Sequence, residues 1–277
     1  MMEAEDSQSI AKEEHFRDIL HRIHLIMSEQ YGLRDISIRP VGAGGSRLSI
    51  PVKIKGKNKR GEEIYYFGKI IGNSVIVSEK TIQFFKNLYL ATDDSESIFG
   101  ARSSPEEMAK YQFQILQSIY NLGIPTAKPL GFHSIDGNAF LLVMEFLNAK
   151  PISSVKEVNP EILETAFGYL KKMHKQGIYH GDIKPENIMI GDRIYIIDIG
   201  SLSETASRKR KQAYDLACLI ASFVGHCSLE NIVSSARRYY SRNELKAAAQ
   251  FLNLVQKRPD IDLPDETKNQ LLSLIGY

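Results

Sequence analysis

One stretch constrains this chain more than any other: residues 180–200, HGDIKPENIMIGDRIYIIDIG. It places Asp182, Lys184 and Asn187 within six residues of one another in a segment punctuated by glycine and proline, which reads as a loop. Two short strands follow, 187–190 and 194–197, each mostly apolar and joined by Gly191-Asp192-Arg193, and this spacing predicts a β-hairpin. A hairpin turns the chain back on itself, so Asp198 returns to the neighbourhood of the loop that carries Asp182. Two carboxylates, one amide and one lysine gathered in this way suit phosphoryl transfer from a nucleotide–Mg²⁺ complex. One carboxylate accepts or orients a hydroxyl proton, an amide oxygen and the second carboxylate hold the metal, and cations neutralise phosphate charge. The plainer alternative is a surface loop that merely contains Asp, Lys and Asn.

The flanking sequence reads as a β-rich half followed by a helical half. Residues 10–30 carry Ile10, Phe16, Ile19, Leu20, Ile23, Ile26 and Met27 at three- and four-residue spacings, an amphipathic helix ending near Gly32. ISIRPV, RLSIPVKIK and EEIYYFGKII then predict three antiparallel strands, separated by a glycine cluster and the turn GKNKRG. A helix is expected over 78–90, and the polar stretch 91–104 is expected to be a mobile loop. Ser104, Pro105 and Glu107 make a helix start with a capping box, and that helix runs to about Leu122 and stops at Gly123. Strands are expected over 130–133 and 139–146, joined by Asp136-Gly137-Asn138. Asn159-Pro160-Glu161 opens a helix with the apolar stripe Ile162, Leu163, Ala166, Phe167, Leu170 and Met173. Three or four further helices complete the chain, one started by Ser241-Arg242-Asn243-Glu244. These boundaries predict an N-terminal helical extension over 1–34, a β-rich lobe over 35–147 and a helical lobe over 148–277.

Composition supports a folded chain and narrows its class. At 277 residues with 43% hydrophobic and 25% charged residues, the chain can bury a sizeable core and is not a disordered, collagen-like or disulfide-scaffold protein. Thirty-five basic against 33 acidic residues leave a net charge of +2, so global charge argues for neither nucleic acid nor membrane as partner. Cys218 and Cys227 are the two cysteines, too few for a disulfide framework, and both read as small buried hydrophobes. The start MMEAEDSQSIAKEEH is acidic and polar, unlike a signal peptide, and the longest apolar run (139–147) is too short to span a bilayer. A soluble, cytoplasmic protein with no membrane association is expected.

The order H-x-D-x-K-P-x-N followed by D-x-G resembles the protein-kinase superfamily. That resemblance implies an α+β, two-lobed protein-kinase-like fold with ATP and Mg²⁺ in the cleft between the lobes. Asp182 would be the catalytic base, Lys184 a γ-phosphate contact, Asn187 and Asp198 the metal ligands, and His180 a structural brace. Gly42, Gly44, Gly45 and Ser46, between two predicted strands, resemble the glycine loop that covers the nucleotide, although a full G-x-G-x-x-G is absent and a plain β-turn explains them equally well. Lys69 on the third strand would bind the α- and β-phosphates; the alternative is a solvent-facing lysine. Met144, Glu145 and Leu147, in LLVMEFL, resemble the hinge whose backbone bonds the adenine edge. One position departs from the pattern: where kinases pair the strand lysine with a helix glutamate, this chain carries Gln112, and Glu107 is explained by its capping role.

Asp215, in AYDLACLI, looks like the buried aspartate that braces the catalytic loop, and it comes 17 positions after Asp198 with no Ala-Pro-Glu anywhere in the chain. The helical lobe therefore lacks a full activation segment. That truncated plan resembles the RIO kinases and the small kinase of the tRNA-modification complex, and aminoglycoside and choline phosphotransferases share it. NLGIPTAKPLGF is similar to the RIO and small-molecule kinase pattern. Lys184 favours a protein hydroxyl as acceptor, by family analogy, although RIO kinases usually carry serine there. The expected function is that of an atypical serine/threonine protein kinase acting on a protein substrate, itself included, with an RNA or protein-complex partner possible. The alternatives are a small-molecule kinase and a nucleotide-binding pseudokinase or ATPase. Arg208-Lys209-Arg210-Lys211 could dock an acidic partner, but reads as a solvated loop. Lys53, Lys55, Lys57, Lys59 and Arg60 fit the exposed face of an edge hairpin. Ser95, Ser97, Ser103 and Ser104 lie where RIO kinases carry an autophosphorylated segment.

Overall fold

The computed structural model describes residues 2–41, 49–72, 98–99 and 104–277. Gly42, Gly44, Gly45 and Ser46, the helix expected over 78–90, and Ser95, Ser97 and Ser103 lie outside the described residues. The chain divides into two compact units, one of Met1–Phe84, Arg102–Gln114 and Lys128–Leu147, the other of Phe85–Ala101, Ile115–Ala127 and Asn148–Tyr277.

The first unit is a five-stranded antiparallel sheet backed by a helix. Its strands are β1 (Arg34–Pro40), β2 (Ser49–Lys57), β3 (Glu63–Gly72), β4 (Pro129–Ser134) and β5 (Ala139–Glu145), in the spatial order β1-β2-β3-β5-β4. Helix α1 runs from Met2 to Tyr31, eight residues earlier than its apolar stripe begins. Ile19, Ile23 and Met27, four residues apart on one face, are buried against Val52, Ile54, Ile70, Leu141 and Val143. Full burial of each such side chain is worth about 1.5–3 kcal/mol, so this stripe holds α1 to one face of the sheet. β2 alternates: Val52 and Ile54 face the core, and Lys53, Lys55 and Lys57 the other side. The sequence reading set this lysine-rich strand at an edge, but β2 lies between β1 and β3 and is internal to the sheet. Its charges are locally matched. Lys55 pairs with Glu63, Lys57 with Asp35, and the Lys53 ammonium lies 4.6 and 4.3 Å from the ring centres of Tyr65 and Phe146. Helix α2 (Pro105–Asn121) starts as expected, with the Ser104 hydroxyl accepting from the Glu107 N–H at 3.2 Å.

The second unit is mainly helical: α3 (Pro160–Lys175), α4 (Arg208–Ser222), α5 (Leu229–Tyr239), α6 (Arg242–Ala249), α7 (Leu252–Gln256) and α8 (Asp265–Ile275). Five helices therefore follow the hairpin where three or four were expected. Asn159 caps α3 and the Ser241–Glu244 box caps α6, both as read from sequence. The hairpin strands β7 (Ile188–Ile190) and β8 (Ile194–Ile196) form, and a third strand, β6 (Lys150–Pro151), adds to β7. Two residues carry no period, so β6 left no trace in the sequence. The core gathers Leu163, Phe167 and Leu170 of α3 against α4, whose residues 213–222 are all buried. Arg208–Lys211 are not a loop. They are the first turn of α4, capped by Ser207, and four cations there oppose the helix dipole. Stacking offsets part of this, with Arg210 over Phe251 and Lys211 over Tyr179. Cys218 is buried and Cys227 half-buried, and neither forms a disulfide. Among the described residues, no helix is long and apolar enough to cross a membrane.

Candidate active site

Within the second unit, the loop between α3 and β7 is built around a buried carboxylate. Asp215, on the fully buried stretch of α4, is 0% exposed. Its oxygens accept from the His180 and Gly181 N–H groups, each at 2.8 Å, and lie 3.3 Å from His174 Nε2. A charge in the middle of an apolar helix is tolerable only with such partners. His180 is equally buried, and burial pushes its imidazole pKa down against the attraction of Asp215, Asp182 and Asp198. The neutral ring has its tautomer set by its neighbours: Nδ1 accepts from the Asp182 N–H at 3.2 Å, so Nε2 donates to the Ile197 carbonyl at 3.1 Å. His180 thus ties the loop of Asp182 to the strand end before Asp198, the bracing role expected of it.

Backbone bonds complete the join. Gly200 N–H donates to the His180 carbonyl at 2.9 Å and Ile197 N–H to the Asn187 carbonyl at 3.0 Å. Asp198 takes a left-handed φ of 57°, uncommon without glycine, and strain of this kind gathers at functional loops. Close approach explains the glycine of D-x-G. A Cβ on Gly200 would stand 2.8 Å from Asp182 Cβ and from the Gly181 carbonyl. We expect Gly200→Ala to push the two loops apart and to cost about 1–3 kcal/mol. Urea unfolding of the variant checks this, and an unchanged midpoint would show that the contact relaxes freely.

The Asp182 carboxylate is held on both sides. Oδ2 receives Lys184 Nζ and Asn187 Nδ2, each at 3.2 Å, and the Asn187 amide also donates to the Asp182 carbonyl at 2.8 Å. Oδ1 receives Arg258 Nη2 at 2.7 Å. Burial works against the Lys184 charge, but the attraction of Asp182, Asp260 and Asp198 outweighs it and raises its pKa above the ordinary lysine value. With both amide hydrogens of Asn187 given to Asp182, its carbonyl oxygen is the group left for a cation. An amide oxygen and the Asp198 carboxylate are hard donors of the kind Mg²⁺ takes while keeping several waters. Asp182, Lys184, Asn187 and Asp198 are therefore brought together as the sequence spacing predicts. Arg258 and Asp260 were not foreseen, because nothing in the spacing of KRPD marks it as part of this site.

Within the first unit, Lys69 sits on β3 opposite Pro51 and Leu142 and is 6% exposed, which removes the reading of a solvent-facing lysine. Gln112, on α2, is equally buried. Met144 is buried in β5, and Glu145 N–H donates to the Lys128 carbonyl at 2.9 Å, while Leu147 is half-buried beyond the strand end.

A family model described as the RIO domain matches residues 78–232, more than half of the chain. A probable bifunctional tRNA threonylcarbamoyladenosine biosynthesis protein of Methanosarcina acetivorans is 26% identical over 171 residues, 61% of this chain and 28% of that protein. Serine/threonine-protein kinase D of Synechocystis sp. is 28% identical over 109 residues, 33% of this chain and 22% of that protein. The chain thus spans about a quarter of the length of these relatives. Among solved structures, the Rio2 kinase–ADP/Mg²⁺–phosphoaspartate complex of Chaetomium thermophilum superposes with a TM-score of 0.51 at 16% identity, over 92% of this chain and 74% of that one. That likeness shows the fold: α+β, kinase-like, with an antiparallel-sheet N-lobe and a helical C-lobe.

Proposed function

This chain belongs to the RIO domain family, and from that membership we propose that it is an ATP-dependent phosphotransferase, an atypical serine/threonine kinase that transfers a phosphoryl group to a protein hydroxyl. The observation that carries the reading is the backbone-tied pair of loops in which Asp182, Lys184 and Asn187 meet Asp198-Ile199-Gly200. Asp182 accepts the proton of the acceptor hydroxyl and aims its oxygen, and Lys184 neutralises charge on the transferred group. Asn187 and Asp198 hold Mg²⁺, which when bound supplies the countercharge for the phosphate oxygens. Lys69 takes the α- and β-phosphates, Gly42, Gly44, Gly45 and Ser46 cover them, and the backbone of Glu145 and Leu147 beside Met144 takes adenine. In this reading residues 35–147 bind nucleotide, 148–277 carry the catalytic and metal groups, and 1–34 extend the nucleotide-binding part.

The Methanosarcina relative is named for tRNA threonylcarbamoyladenosine biosynthesis, which supports an RNA or protein-complex partner here, and the Synechocystis relative, named a serine/threonine-protein kinase, supports a protein acceptor. Two cysteines without a disulfide fit a reducing compartment such as the cytoplasm.

Thermal unfolding with ADP and Mg²⁺ is the first test. Nucleotide at a hundred times its Kd should stabilise the wild type by about 2.7 kcal/mol, and Asp198→Ala should lose that gain. A wild type indifferent to ADP–Mg²⁺ would overturn the reading. Intact-protein mass after incubation with ATP and Mg²⁺ then separates phosphate retained on protein from phosphate released to water.

A further inference from the structure

Arg258 lies just beyond α7, in the sequence Lys257-Arg258-Pro259-Asp260, with its side chain only 5% exposed. A buried guanidinium is costly unless its donors are used, and here all five N–H groups have acceptors. Asp260 takes the fork, Nε to Oδ1 and Nη2 to Oδ2, both at 2.9 Å. The second Nη2 hydrogen goes to Asp182 Oδ1 at 2.7 Å. Nη1 donates to the Tyr214 hydroxyl at 3.0 Å and to Cys218 Sγ at 3.7 Å. Lys184 closes the group, 3.2 Å from Asp182 Oδ2 and 3.4 Å from Asp260 Oδ2. Asp182, Arg258, Asp260 and Lys184 thus form a ring of alternating charge with no net charge.

A simple staple for the C-terminal segment needs only Asp260 and Tyr214, which already fix the guanidinium. The bond to Asp182 adds something else. It occupies the carboxylate oxygen that Lys184 and Asn187 leave, so the Asp182 plane is fixed at both ends. Orientation to within a fraction of an ångström is what a group that aims a nucleophile requires. The guanidinium that meets Asp182 comes from the C-terminal segment, 76 positions along the chain, and not from the 17-position span between Asp198 and Asp215.

We propose that Arg258, seated by Asp260 and Tyr214, is the positioning residue that sets the Asp182 carboxylate for the acceptor hydroxyl. This inference rests on the phosphotransferase reading. Its test is the steady-state turnover of ATP–Mg²⁺ by the full chain, read as kcat and KM separately. Arg258→Gln should lower kcat about a hundredfold with KM for ATP within about twofold of wild type. Arg258→Lys, which keeps the charge but not the fork, should recover about tenfold of that loss and serves as the test if Arg258→Gln does not fold. Wild-type kcat in either variant overturns the inference. So does a fall in which KM and thermal stability move together with kcat and lysine rescues nothing, because a structural staple predicts that pattern. A wild type that turns over no ATP sinks the kinase reading and this role with it; a wild type that turns over while Arg258→Gln keeps pace sinks this role alone.

Discussion

Replacing Asp182 with asparagine should lower phosphoryl transfer about 10²- to 10⁴-fold, the range that a positioned proton acceptor contributes, and leave nucleotide binding in place. The two effects separate because the carboxylate does two unequal jobs. Its shape is held by Lys184, Asn187 and Arg258, and asparagine keeps that shape and one acceptor oxygen. The bond from Asn187 to the Asp182 carbonyl involves the backbone and survives the substitution. What is lost is the negative charge and the basic oxygen, so a proton on an acceptor hydroxyl has nowhere to go. Transfer of phosphate from ATP, followed by intact mass, reads the first effect, and thermal stabilisation by ADP–Mg²⁺ reads the second. Full transfer by Asp182→Asn would refute the proton-accepting role outright. Loss of ADP–Mg²⁺ stabilisation would instead say that the carboxylate holds the loop together rather than serving the chemistry.

Asp215→Ala should destabilise the second unit by about 3–5 kcal/mol, the usual consequence of breaking a buried charged network by removing one partner. Two backbone N–H groups, of His180 and Gly181, would be left inside without an acceptor, and His174 would lose its neighbour. Gly181 has a φ of +77°, so the loop it belongs to depends on those bonds to hold a conformation that favours glycine. Such a loss is a large fraction of the 5–15 kcal/mol that holds an ordinary domain folded. Urea unfolding measures it. A loss under about 1 kcal/mol would mean that water replaces the carboxylate and that the loop is not built on Asp215. Asp215→Asn should fall between, since one amide oxygen can accept from only part of the same set.

Local chemistry was legible wherever its cause is local. Asn159-Pro160 and the stripe Leu163, Phe167 and Leu170 announced α3 because a cap and a 3.6-residue period are properties of neighbouring residues. The hairpin of β7 and β8, and with it the return of Asp198 to Asp182, followed from two apolar runs around a turn. The family resemblance was legible for the same reason, since its motif lies within 21 residues of continuous sequence, 180–200. Lys69 could be placed on a strand from its neighbours, but its burial depended on the strands beside it. The lysines of β2 were misplaced at an edge because alternation reports which face a residue takes and not where the strand stands in the sheet. Arg208–Lys211 were read as a loop because four cations suit no helix start, and the aromatic rings that accommodate two of them come from Tyr179 and Phe251, distant in the chain.

The sequence by itself therefore determined the two kinds of element, the loop that gathers Asp182, Lys184 and Asn187, and the family, each through patterns confined to a few turns of chain. Tertiary structure alone decided what holds Asp182 in place. Arg258 stands 76 positions away from it, and an ion pair between such distant residues leaves no period, cap or spacing in either neighbourhood. It arises only when α4 and the segment after α7 have packed, burying a guanidinium that must then find every acceptor within reach.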